Sequence, residues 1–177
     1  MNLSDDDFTL FGLAPRFGLD GAALDDVWRA LQARVHPDRF AAQGAAAQRL
    51  AMQWAVRVNE GYQRLKDPLR RAAYLCELRG AAIQAENNTA MPAAFLMQQM
   101  AWRETLDEAC SLAAVAQLDD EVAADEQHRL GLLGQCLDDP GGDPAAHALA
   151  AAQQVRSLMF VARFRQDLAR RLEALDA

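Results

Sequence analysis

The sequence predicts an all-α protein organised as two helical domains. Three observations carry this reading. Alanine, the residue with the highest helix propensity, is abundant, and apolar residues make up 51% of the 177 residues, enough for a real core. Apolar positions recur at helical spacing, and no run of alternating β-branched residues is long enough for a strand. Proline, glycine and aspartate stand where helices must start or stop.

The elements follow in order. Ser4 is expected to cap a short first helix, with Asp5, Asp6 and Asp7 at its positive end and Phe8, Leu10, Phe11 and Leu13 as its apolar surface. Gly12, Pro15 and Gly18 break that pattern. Asp20 caps a second helix whose Leu24, Val27, Trp28, Leu31 and Val35 share one face, and which must stop before Pro37. A loop with Gly44 near its end leads to a third helix carrying Ala47, Leu50, Ala51, Trp54, Val58, Tyr62 and Leu65 in one stripe. Two amphipathic helices joined this closely pack as an antiparallel hairpin. Pro68 opens a shorter fourth helix through Leu69, Ala72, Ala73, Leu75 and Cys76, ending at Gly80. Residues 79–91, with Asn87, Asn88 and Thr89, read as a linker. Pro92 starts a fifth helix expected to reach Leu118. Asp119, Asp120 and Glu121 suit the start of a sixth, ending near Leu137. After a turn over 138–144, Asp143 caps and Pro144 opens the last helix. The domains are thus 1–78, a hairpin with short flanking helices, and 92–177, a three-helix bundle.

Charge and cysteine usage narrow the function. Net charge is -7, and all of it lies in residues 79–177, because residues 1–78 hold equal numbers of acids and bases. The second half therefore disfavours nucleic acid and suits a partner with a basic surface. Cys76, Cys110 and Cys136 are far apart and form no C-x-x-C pair, which argues against a metal centre and for core packing. His128 and His147 lie in unrelated helical segments, no ligand set surrounds His36, and no phosphate-cradling glycine loop is present. No cofactor, metal or enzymatic centre is expected. The acidic start, Met1 to Asp7, is unlike a targeting peptide, and no run of 18 apolar residues exists, so a cytoplasmic protein is expected.

The most informative stretch is His36-Pro37-Asp38, followed by Arg39-Phe40. Proline ends the helix before it, which places these residues at the exposed tip of the hairpin. Arg29, Arg34 and Arg39 form a candidate basic patch leading to that tip. In the fifth helix, Phe95, Trp102, Leu106, Ala109 and Ala113 fall within about 40° of one direction and form the core stripe. Leu96, Met97 and Met100 point about 100–200° away, beside Glu104, Asp107 and Glu108. An outward apolar cluster rimmed by carboxylates reads as a binding surface. In the last helix Leu158, Val161, Leu168 and Leu172 define the core face, and Phe160 is expected to point away from it. The competing reading is that the first domain or the linker covers these residues.

Residues 8–76 resemble a J-domain, the module that activates chaperones of the 70-kilodalton heat-shock class. The resemblance rests on the His36-Pro37-Asp38 tip, on Asn59-Glu60-Gly61-Tyr62-Gln63-Arg64-Leu65-Lys66-Asp67-Pro68, and on Arg71-Ala72 and Tyr74-Leu75. Phe8-Thr9-Leu10-Phe11-Gly12-Leu13, Ala94-Phe95-Leu96-Met97, Arg103-Glu104 and Leu106-Asp107-Glu108 extend it over nearly the whole chain to the HscB-type co-chaperones of iron–sulfur cluster assembly. The chain departs from the family pattern at Arg39 (usually lysine), Val35 (often aromatic) and Ala101 (often an acid). The resemblance implies that His36, Pro37, Asp38 and Arg39, with Arg29 and Arg34, meet an HscA-type ATPase chaperone and speed its hydrolysis of ATP. It implies that Leu96, Met97, Met100, Glu104, Glu108 and Phe160 hold an IscU-type scaffold protein. A J-protein with another client and a small helical enzyme are the alternatives.

Overall fold

The computed structural model describes residues 2–83, 91–139, 141 and 143–176. Asn87, Asn88 and Thr89 of the expected linker, and Pro140 and Gly142 of the expected turn, lie outside the described residues. Among the described residues the chain is helical, with no strand. It divides into two compact units, Met1–Leu75 and Cys76–Ala177. The division falls inside the fourth helix, a little earlier than the residue 78 expected.

The first unit opens with α1 (Asp7–Phe11). Its cap is Asp6, not Ser4: the Asp6 carboxylate accepts from the Thr9 amide at 3.0 Å. Ser4 sits too far back to reach the first free amides. Gly12 ends α1 at φ 65°, a left-handed conformation that glycine adopts without steric cost. Asp20 caps α2 (Gly21–Val35), its Oδ1 accepting from the amides of Ala22 at 2.9 Å and Ala23 at 3.4 Å. The expected loop after Pro37 is instead a 3-10 helix, Pro37–Gln43. Proline's fixed φ is compatible with such a turn, and the missing N–H costs nothing at its first position. Gly44, at φ 92°, closes it and leads into α3 (Ala45–Lys66). Asp67 then accepts from the amides of Leu69 and Arg70 at 2.8 and 3.0 Å, and Pro68 opens α4 (Pro68–Leu78).

The core of this unit joins Phe8 and Phe11 of α1, Leu24, Leu31 and Val35 of α2, and Ala51, Val58, Tyr62 and Leu65 of α3. Leu50, placed in that stripe by its spacing, is half-exposed. Its position one residue before Ala51 turns it about 100° off the buried line. Asp7 is fully buried and lies between Arg57, at 2.5 Å, and Arg64, at 2.8 Å. Its amide donates to the Tyr74 hydroxyl at 3.0 Å. Arg57 also donates to the carbonyls of Leu3 and Asp5, so the N-terminal segment is tied to α3. Gly61 makes room for this: a Cβ there would stand 3.1 Å from the Phe11 ring and 3.3 Å from the Asp7 carboxylate.

The second unit holds three long helices: α5 (Ala93–Glu108), α6 (Leu112–Asp138) and α7 (Pro144–Asp176). The fifth helix therefore ends ten residues before the expected Leu118, and α6 begins at Leu112. No glycine or proline marks the break. Ser111 makes it, in extended conformation, with its hydroxyl accepting from the Ala114 amide at 3.2 Å. Ala113 consequently belongs to α6 and is exposed rather than in the α5 stripe. Asp119 and Glu121 lie inside α6 and act across helices. Asp119 and Glu126 pair with Arg165 of α7, and their hydrogen bonds raise the Arg165 pKa. Phe95 and Trp102 of α5, Val115, Leu118 and Val122 of α6, and Val161, Phe164 and Leu168 of α7 form one core.

The cysteines divide. Cys76 is buried, and desolvation pushes its thiol up to about 11. Cys136 is partly buried, and Cys110 is exposed in the α5–α6 connection rather than packed in a helix.

Candidate functional site

Two surfaces, one in each unit, carry the residues singled out by the sequence. The first is the hairpin tip. α2 stops at Val35 because Pro37 cannot continue it, and His36 takes an extended ψ of 126°. The imidazole then caps the turn that follows, its Nδ1 accepting from the Asp38 amide at 3.4 Å. The Asp38 carboxylate stands 3.6 Å from the same nitrogen. Both side chains face solvent, at 57% exposure for His36 and 88% for Asp38.

The three arginines do different things. Arg29 pairs with Asp26 one turn earlier at 2.7 Å. Arg34 is exposed and, with Val35, Phe40, Leu50 and Trp54, lines an open cavity of about 390 Å³ beneath the tip. Arg39 turns back along α2 and donates to the Ala33 carbonyl at 2.8 Å.

A clasp holds the two arms of the hairpin in register. Trp28 stacks on Tyr62, ring centres 4.6 Å apart. The Trp28 indole donates to Asn59 Oδ1 at 3.0 Å, and Gln32 donates to the same oxygen at 2.6 Å. The Tyr62 hydroxyl donates to Asp25 at 2.7 Å, and Lys66 lies 3.7 Å from that carboxylate. Asn59 was visible only as part of a motif; its role needs the α2–α3 pairing to be seen. The Tyr62 hydrogen bond, helped by the nearby charges of Lys66 and Arg29, holds the Asp25 carboxyl below its ordinary range. A depressed folded pKa contributes stability above the unfolded value, near pH 4, that is lost as pH falls through the folded value. The stability gap between the wild type and Asp25→Asn should therefore shrink on acidification from about pH 7 to about pH 3, as read by thermal melts.

The second surface is the outer face of α5. Leu96, Met97 and Met100 are 44%, 72% and 71% exposed, while Phe95 and Trp102 on the opposite face are buried. Trp102 and Gln98 both donate to Glu121 of α6, at 2.9 and 3.3 Å, which sets the rotation of α5 and turns its methionines outward. Glu104 and Glu108, exposed, follow Met100 by one and two helical turns. Phe160 differs from expectation: it is half-buried at the edge of the core. Its ring meets Phe95 edge-on at 5.9 Å and stacks on Phe164 at 6.1 Å, and the Arg103 guanidinium lies over it at 5.4 Å. The reason is that α7 packs against both α5 and α6, so its buried arc is wider than one stripe.

Among the described residues no group of three or more His, Cys, Asp or Glu side chains could hold a metal ion. None of the described helices is long and apolar enough to cross a membrane.

A family model described as the HSCB C-terminal oligomerisation domain matches residues 91–169. The chain is 49% identical to a co-chaperone protein HscB homolog of Burkholderia thailandensis and 50% identical to one of Burkholderia multivorans, in each case over 99% of both chains. The solved chaperone HscB from Vibrio cholerae matches with a TM-score of 0.77 and 40% identity, covering 97% of this chain and 99% of that one. The human co-chaperone HscB, at 23% identity, shares the fold with a TM-score of 0.86 over 100% of this chain and 86% of its own.

Proposed function

This chain belongs to the HscB family of co-chaperones, and on that footing we propose that it serves iron–sulfur cluster assembly by joining two partners. The J-domain tip, His36, Pro37 and Asp38, engages an HscA-type ATPase chaperone and stimulates its ATP hydrolysis. Arg29 and Arg34 add positive charge beside it, and Arg39 supports it. The α5 face, Leu96, Met97 and Met100 with Glu104 and Glu108 as an acidic rim and Phe160 at its edge, holds an IscU-type scaffold protein. The chain itself performs no ATP chemistry; hydrolysis belongs to the chaperone. A cytoplasmic location goes with this role.

The observation that carries the reading is the display of the tip. His36 and Asp38 extend into solvent at the end of a helical hairpin, in a turn with no fully buried residue. Exposed, ordered polar residues on a packed scaffold are what partner recognition requires.

His36→Gln and Asp38→Asn test it. Each should abolish stimulation of the chaperone's ATPase. Because the side chains are exposed, each should change stability by only about ±0.5 kcal/mol. Calorimetry with the scaffold should give unchanged affinity. Stimulation that survives both substitutions would remove the tip from the mechanism.

A further inference from the structure

We infer that Arg39 is a positioning residue: it locks the shape of the His36-Pro37-Asp38 turn by binding the end of α2, and does not itself contact the chaperone. The inference rests on the co-chaperone reading above and assigns one residue of that surface a different task.

Packing holds the tip only loosely: Pro37 and Phe40 are partly buried and the rest of the 3-10 helix is exposed. The 3-10 helix Pro37–Gln43 has no fully buried side chain, and a cavity of about 390 Å³ opens beneath it, lined by Val35, Phe40, Leu50 and Trp54. Hydrogen bonds complete its shape. Beside those internal to the 3-10 helix, three bear on the tripeptide. The Arg39 amide donates to the His36 carbonyl at 3.1 Å. The Asp38 amide donates to His36 Nδ1 at 3.4 Å, a long bond. The third, Arg39 to the Ala33 carbonyl at 2.8 Å, is the shortest, is charge-assisted, and alone reaches out of the turn to α2.

The Ala33 carbonyl belongs to the last turn of α2, where Pro37 cannot supply an N–H partner. The guanidinium also sits at the negative end of the α2 dipole. Its bond closes a loop from residue 33 to residue 39 that contains the whole tripeptide. A guanidinium committed to that carbonyl is directed back onto α2.

Arg39→Met keeps the aliphatic stem and removes donor and charge; Arg39→Lys keeps a charged donor. ATPase stimulation should be titrated with each full-length variant at two salt concentrations. Amide exchange over residues 33–40 and thermal melts should be recorded in parallel. Positioning predicts that Arg39→Met loses about tenfold in maximal stimulation, the scale of one charge-assisted hydrogen bond. The half-maximal concentration and its salt dependence should stay put. The amides of Asp38 and Arg39 should exchange faster without a change in melting temperature, and Arg39→Lys should recover most of the amplitude. A raised half-maximal concentration with intact amplitude and a flatter salt dependence would make Arg39 a direct contact and overturn the inference. So would unchanged stimulation by Arg39→Met. Failure of the wild type to stimulate at all would overturn the co-chaperone reading itself, and this inference with it.

Discussion

Asp7→Ala is expected to destabilise the J-domain by about 3–5 kcal/mol, the cost of removing one partner from a buried ion pair. The Asp7 carboxylate is fully buried and is shared by Arg57 and Arg64, whose side chains are 18% and 41% exposed. Its loss leaves the better-buried Arg57 without a counter-charge, and releases the anchor that ties residues 3–7 to α3. Urea unfolding, followed by a probe in the first unit, should show the midpoint fall with little change in slope. Asp7→Asn should lose less, because an amide oxygen still accepts from a guanidinium. A loss of under about 1 kcal/mol for Asp7→Ala would show that water replaces the carboxylate, and that the cluster is not sealed.

The second large effect separates the two faces of α5. Trp102→Ala should destabilise the bundle by about 3–5 kcal/mol. Trp102 is 2% exposed, stacks on Phe164 at 5.9 Å and donates to Glu121. Changing Leu96, Met97 and Met100 together to alanine should leave the melting temperature nearly unchanged, because these side chains already face solvent. The same variant should weaken scaffold binding by about 2 kcal/mol or more, roughly thirtyfold, as truncated central apolar contacts do. Phe160 is left out of this test because its ring is part of the core edge. Normal scaffold affinity in the triple variant would move the binding surface elsewhere on the bundle. A triple variant that melts early would place these residues in the core.

Much of this was legible in the sequence because capping chemistry is local. Asp20, Pro68, and Asp143 before Pro144 announce their helices within three or four residues. The tripeptide at the tip and the outward methionines also follow from position on a helix. What could not be read depends on distant partners. Nothing in Asp5-Asp6-Asp7 distinguishes the aspartate that caps from the one that is buried; that difference comes from Arg57 and Arg64, fifty or more residues on. The break at Ser111 lacks the usual breakers, so an apolar period that drifts from α5 into α6 looks continuous. Phe160 misleads because a single stripe describes a helix with one neighbour, whereas α7 has two. Leu50 shows the opposite error, a residue on the edge of a stripe whose neighbouring turn leaves a cavity instead of closing over it.

The measurement that tests the central claim most directly is the steady-state ATPase rate of an HscA-type chaperone with this protein added, alone and together with an IscU-type scaffold. The account predicts that the protein raises the rate to a plateau, that the scaffold raises it further through the α5 face, and that His36→Gln removes both increases while scaffold binding persists. An unchanged ATPase rate, or stimulation that His36→Gln leaves intact, would contradict it.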